Sequence, residues 1–306
     1  MEEQTGCCLC PRRCGADREI GVGRCGVGST VKLARAALHF WEEPCISGEE
    51  GSGTVFFSGC PLGCVFCQNY QLSAGHFGKE VSLERLGEIF LELQAQGANN
   101  INLVTGGHYI LQIVRALDRV KAKLNIPVVY NSSGYETVEA LRQLKGYVDV
   151  YLPDLKFVSS QRSQRYCAAP DYFEVASQAI LEMFSQVGSA QFDERGILQR
   201  GMIVRHMAMP NGVEDSMDAL TWIAEHLPLD EILVSIMSQY TPFYRSGEFP
   251  EINRRLTQEE YDRVLDWMDC MGIEDGFVQE LSSAKEEYTP DFSLQGVDRE
   301  SKKDRS

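Results

Sequence analysis

No apolar run in this 306-residue chain approaches the roughly 18 to 20 residues a helix needs to cross a bilayer, which argues against a membrane-spanning protein. The opening Met1-Glu2-Glu3-Gln4 lacks the basic and apolar character of an export signal, so the chain is expected in the cytoplasm. Basic charge is also short. With 29 Lys and Arg against 44 Asp and Glu, the net charge of -15 repels phosphate backbones unless a local basic patch intervenes, so nucleic acid is a disfavoured partner. No 20 to 50 residue repeat of the solenoid kind is present.

What the chain does have is a globular composition, 43% hydrophobic and 24% charged, and eleven cysteines. A reducing compartment would keep those thiols from forming a disulfide framework, which makes metal binding the first explanation for so many. Cys7, Cys8, Cys10, Cys14 and Cys25 crowd the start, Cys60, Cys64 and Cys67 form a second group, and Cys45, Cys167 and Cys270 are scattered. The scattered three are expected to be lone buried thiols.

From Thr54 onward, β-type apolar runs alternate with stretches of helical period, the pattern of repeated β-α units around a parallel sheet. Strands are expected at 54–57, 101–104, 127–130, 148–152, 202–205 and 232–236, with an edge strand at 276–281. Helices are expected after Ser82, over 110–124, 172–187 and 215–226, and from a capping box at Thr257 and Glu260 through Met271. Six β-α units fall short of eight, so the predicted fold is α/β, a partial (β/α)6 barrel of TIM type. The expected divisions are a cysteine-rich segment over 1–52, the barrel over 53–287 and a polar, frayed tail over 288–306.

Parallel strands place ligands at their carboxyl ends. Gly59-Cys60-Pro61-Leu62-Gly63-Cys64-Val65-Phe66-Cys67 begins at such an end. C-x3-C-x2-C brings three thiolates into a short loop that reaches three corners of a 4Fe-4S cubane, leaving the fourth iron open to a small molecule. A structural zinc, or a four-cysteine cluster completed by Cys45 or Cys167, is the competing reading; the C-x3-C offset and the position after a strand count against it.

The loop and the following Gln68-Asn69 resemble the radical S-adenosylmethionine superfamily, specifically its glycyl-radical-enzyme activase branch, over about Val31 to Leu281. The stretch His39-Phe40-Trp41-Glu42-Glu43-Pro44-Cys45-Ile46-Ser47-Gly48 resembles more narrowly the activase-like proteins similar to pyruvate formate-lyase activating enzyme. The resemblance implies a 4Fe-4S cluster on Cys60, Cys64 and Cys67 with S-adenosyl-L-methionine on its open iron. It implies further that Gly106 and Gly107 meet the methionine amino group through backbone carbonyls, with His108 in place of the family's acidic residue. Asn131 and Ser132 then reach the cofactor, Lys156 pairs with its carboxylate beside Asp154, and Arg205, five residues before Pro210, holds that carboxylate. Phe66 abuts the adenine, and Gln239 and Tyr240 wall the adenosine.

The activity so implied is reductive cleavage of S-adenosylmethionine to a 5'-deoxyadenosyl radical, with flavodoxin or ferredoxin as electron donor. A glycine on a partner glycyl radical enzyme is the first expected target, and a small molecule or peptide the second. A non-catalytic iron-sulfur electron carrier is the rival from another class. Upstream, Cys7, Cys10, Cys14 and Cys25 offer four thiolates that suit zinc or an auxiliary iron-sulfur cluster, with Cys8 an alternative to Cys7 and zinc preferred because the surrounding chain is short and arginine-rich. Activases with extra clusters carry them after the first motif, so this group departs from that pattern.

Overall fold

A computed structural model describes residues 6–279 and 290–299. One twisted sheet holds the architecture. Its strands are β1 (Val31–His39), β2 (Ser52–Phe57), β3 (Lys79–Val81), β4 (Ile101–Val104), β5 (Val128–Ser132), β6 (Val150–Pro153), β7 (Gln191–Phe192), β8 (Leu198–Met207), β9 (Leu233–Met237) and β10 (Gly276–Val278). The order across the sheet is β10-β9-β8-β6-β5-β4-β2-β1-β3, with β7 hairpinned onto β8. From β2 to β10 every neighbour pairs in parallel. The six expected parallel strands form, and Gly276–Val278 adds a seventh; Leu281, its expected end, lies outside the described residues. The two ends do not meet, so the sheet is an open, partial barrel.

The parallel strands β2, β4, β5 and β6 are short, wholly buried runs, as a sheet covered on both faces requires. The helix Leu83–Ala95 is opened by Ser82, which accepts the Arg85 amide, and Leu86, Ile89, Phe90 and Leu93 form its buried stripe. Gln258–Cys270 carries the capping box of Thr257 and Glu260. The helix Ser160–Cys167, one turn before Tyr172–Val187, is unexpected, and it proves important because its end props the cysteine loop.

Two divisions differ from expectation. β1 lies antiparallel beside β2, so the segment before residue 53 supplies a strand to the sheet rather than standing apart. Residues 290–299 are docked, not frayed. The Leu294 amide donates to Ala34 O, the Ala36 amide to Gln295 O, and Arg85 donates to the carbonyls of Gly296, Val297 and Asp298. Phe292 meets Phe56 edge-on at 5.4 Å.

Candidate active site

The carboxyl ends of β2, β4, β5, β6, β8 and β9 surround a cavity of about 260 Å³. The three loop thiols, Cys60, Cys64 and Cys67, sit on its wall with Phe66, and facing them are Asn131, Ser133, Asp154, Lys156, Arg205, Gln239 and Tyr240. The loop is held from outside by its neighbours. Cys60 N–H donates to Cys25 O, Gly63 N–H to Cys167 O and Val65 N–H to Tyr166 O. Gly59, at φ 87°, lies so close to Cys25 O that a Cβ would stand 2.7 Å from it, so only glycine permits this approach.

Opposite the thiols is a buried charge network built at strand ends. Asp154 closes β6 and pairs across to Arg205 of β8. Its carboxylate accepts from Arg205 Nε at 2.9 Å and from Lys156 Nζ at 2.5 Å. Arg205 also donates to Asn131 Oδ1 at 2.6 Å and to Glu42 Oε2 at 3.4 Å. Asp154 and Lys156 share a face because they flank Leu155, whose side chain is buried on the other. Burial raises the Asp154 carboxyl, but Arg205 and Lys156 more than offset this and leave it below its ordinary value. Burial opposes the charge on Lys156 and Arg205, yet Asp154 raises both. The result is a charged cluster already paired within the protein, with one more acid beside it: burial outweighs Arg205 at Glu42 and pushes its carboxyl up to about 7.

Residues 54–236 match the Radical SAM superfamily. The chain belongs to that superfamily. A protein of Methanocaldococcus jannaschii, Uncharacterized protein MJ0674, is 33% identical over 270 residues, which cover 85% of this chain and 73% of the relative. Among solved structures, Streptococcus suis SuiB bound to S-adenosylmethionine superposes with a TM-score of 0.50 at 14% identity, over 74% of this chain and 50% of SuiB. The chain thus spans about half the length of that structure, and the likeness is one of fold.

Radical SAM membership implies a 4Fe-4S cluster and S-adenosylmethionine, and the residues present suit both. Among the described residues no three His, Cys, Asp or Glu side chains are gathered around a single ion. A cubane asks for something else, ligand sulfurs spread over separate irons, and the C-x3-C-x2-C loop presents its three thiols to one cavity. Leu62 N–H points at the Cys60 sulfur and Asn69 N–H at the Cys67 sulfur, while Ser73 Oγ lies 3.3 Å from Cys67 Sγ. Amides aimed at sulfur favour thiolates, the form that binds metal. Burial alone works the other way, raising Cys60 well above its ordinary value and Cys67 to about 11, so the thiols stay protonated until metal displaces the protons.

The fourth thiol near this loop of the radical SAM domain is Cys167, buried with its sulfur 3.2 Å from Cys64 Sγ. That is hydrogen-bonding distance, too close for sulfurs on two different irons of a cubane. Cys167 thus stands as a hydrogen-bond donor to Cys64, and its S–H holds the Cys64 thiol below its ordinary value against burial. Cys167→Ala is expected to retain the iron content of the loop site, measured after anaerobic reconstitution; a loss of one iron in four would make Cys167 a ligand. Cys45 is buried away from the cavity and Cys270 is exposed, so Cys270 is not the buried thiol expected.

Several expected contacts are displaced by a residue or more. On the turn after β4, Thr105 lines the cavity while Gly106, Gly107 and His108 lie behind it. Thr105 is held at φ 59°, a conformation disfavoured for a β-branched residue, by a bond from its amide to Asn131 O. His108 is buried, its Nε2 2.8 Å from Ser58 O, and burial lowers it to about 4, so it is a neutral brace rather than a stand-in acid. Ser133, not Ser132, faces the cavity; Ser132 Oγ instead donates to Glu136 Oε1 at 2.9 Å. Phe66 and Tyr240 meet at 5.9 Å on the cavity wall, and the Tyr240 hydroxyl is tied to Ile252 O. His39, Trp41 and Glu42 also line the cavity and were not marked as site residues by the sequence.

Glu136 gives a sharp pH test. It is buried directly against Gly107, accepts from Tyr130 and Ser132, and burial outweighs those bonds to raise its carboxyl to about 7. The folded chain holds this proton between about pH 4.5 and 7 where the unfolded chain releases it, so the stability it contributes is full below that window and lost as pH rises through 7. Glu136→Gln is expected to flatten the loss of stability between pH 5 and 8 by roughly 3 kcal/mol, read from denaturant unfolding at both pH values. An unchanged slope would contradict the burial of this acid.

Proposed function

We propose that this radical SAM protein cleaves S-adenosylmethionine reductively and abstracts hydrogen from a polypeptide, in the manner of the glycyl-radical-enzyme activases, with flavodoxin or ferredoxin as electron donor. When bound, the cluster supplies the one electron that splits the sulfonium into methionine and a 5'-deoxyadenosyl radical. Lys156 and Arg205, both already paired with Asp154, would hold the methionine carboxylate, and Asn131 fixes the arginine. Phe66, Tyr240 and Gln239 wall the adenosine and exclude water and stray hydrogen donors.

The observation that carries a polypeptide target is a second cavity, about 400 Å³, which shares Trp41, Glu42, Arg205, Met237 and Gln239 with the first. It runs along β10, the last strand of the sheet, where Val278 is half exposed. Among the described residues, three buried oxygens around it, Glu43 Oε2, Ser235 Oγ and Gln279 Oε1, find no hydrogen-bond partner. A lining of free acceptors beside a strand edge suits the N–H groups of an extended chain. The glycine target is supported by the activase-like segments 39–48 and 60–69.

The test supplies the reduced, reconstituted protein with S-adenosylmethionine and peptides carrying α-dideuterated glycine. Deuterium in 5'-deoxyadenosine is the expected result, weakened in Glu43→Gln through a higher KM for the peptide. Cleavage of S-adenosylmethionine with label drawn from no peptide or protein would overturn the polypeptide reading while leaving radical chemistry intact.

A further inference from the structure

Residues 6–28 contain neither helix nor strand, and two of their larger apolar side chains point outward: Ile20 is 88% and Val22 62% exposed. The interior of this lobe is Cys10, Cys25, Val27 and the stem of Arg18. Hydrophobic burial on that scale contributes little to ordering so short a segment, which leaves its polar bonds to the body of the fold and whatever its cysteines bind.

The cysteines are where a metal would find them. The backbone brings Cys7 against the turn that follows Cys14, since the Cys7 amide donates to Ala16 O and the Gly15 amide to Cys7 O. Gly23 faces two sulfurs at once: a Cβ placed there would stand 3.3 Å from Cys25 Sγ and 3.5 Å from Cys14 Sγ. Cys10 lies within electrostatic reach of Cys7 and Cys25, and Cys25 of Cys7, while Cys14 joins the group beside Cys25 at Gly23. Arg18 lies beside Cys14 and Cys25, a cation placed to balance several thiolates.

We propose that Cys7, Cys10, Cys14 and Cys25 ligate a second metal centre, closed by four thiolates, that braces the active-site loop. Four ligands leave no open position, so the centre is structural rather than catalytic. Its lobe grips the loop directly. The Cys25 carbonyl accepts the Cys60 amide, and Arg12 donates to Pro61 O at 2.9 Å and to the Ala168 and Cys167 carbonyls behind it. These sulfurs, like the loop thiols, are not gathered around a single ion, so an iron-sulfur cluster fits their spacing as it stands and zinc would need them to close in; metal analysis separates the two.

The experiment uses full-length protein with Cys60, Cys64 and Cys67 all changed to Ala, purified anaerobically and analysed for zinc, iron and acid-labile sulfide. One zinc, or about four irons with matching sulfide, is expected per chain, falling at least ten-fold when Cys14→Ser is added. Cys14 is exposed, so its replacement disturbs no packing. In the otherwise native protein the same Cys14→Ser change should open the arginines of 6–28 to trypsin and expose Cys7, Cys10 and Cys25 to alkylation. Neither metal in the triple variant, or metal content and thiol protection unaffected by Cys14→Ser, would overturn the proposal.

Discussion

Asp154→Ala is expected to destabilise the protein by about 3 to 5 kcal/mol and to abolish measurable S-adenosylmethionine binding. The carboxylate is shared by Arg205 and Lys156, all three side chains at least four-fifths buried. Removing it strands Lys156 out of water and leaves Arg205 with Asn131 and the longer contact to Glu42, and that cost exceeds what the intact pairs contribute. Thermal unfolding should fall on the order of 10 °C for a chain of this size, whereas breaking the exposed pair Arg245–Glu248 should shift it hardly at all. Asp154→Asn keeps the shape and one acceptor, so it should recover part of the stability while leaving Lys156 and Arg205 misdirected for the cofactor carboxylate. A loss below about 1 kcal/mol for Asp154→Ala would mean that water, not this carboxylate, satisfies the two cations.

The second large effect belongs to the loop thiols. Cys60→Ala, Cys64→Ala and Cys67→Ala should each bring reductive formation of 5'-deoxyadenosine down to the level of the reagents alone, because two sulfurs do not retain a cubane with a defined open iron. Cys167→Ala should keep most of it, since that thiol only hydrogen-bonds to Cys64. The contrast between two sulfurs 3.2 Å apart makes the comparison demanding: equal loss in both would merge Cys167 into the ligand set.

The chemistry at strand ends was legible because it is local. C-x3-C-x2-C is a spacing, Asp154-Leu155-Lys156 alternates in the extended chain just past β6, and Arg205 sits on a run of Met202, Ile203 and Val204 that no other element fits. The parallel strands were legible for the same reason, being short apolar runs between helices of clear period. What the sequence hid lies across long separations. β1 is rich in alanine and interrupted by Arg35, a weak strand signal, and it forms because β2 and β3 flank it. Residues 290–299 look like a polar tail, yet Phe292, Val297 and backbone bonds to β1 hold them.

Single-residue errors at the site have a simple origin. Neighbouring residues of an extended chain face opposite ways, so Ser132 turns inward to Glu136 while Ser133 meets the cavity. His108 occupies the position of the family's acid in sequence but not in space, where Glu136 lies against the glycine turn instead. Glu42 and Trp41 come from a loop before the barrel with no periodicity to mark them, and only the packing of that loop against Arg205 and Asn131 brings them to the cavity.

Radical cleavage of S-adenosylmethionine is the claim on which the rest depends. The direct measurement is 5'-deoxyadenosine, quantified by mass spectrometry after the anaerobically reconstituted protein is reduced with dithionite in the presence of S-adenosylmethionine. Time-dependent formation that requires both reductant and Cys64 is the predicted result; a fully iron-loaded protein that forms none would contradict the account.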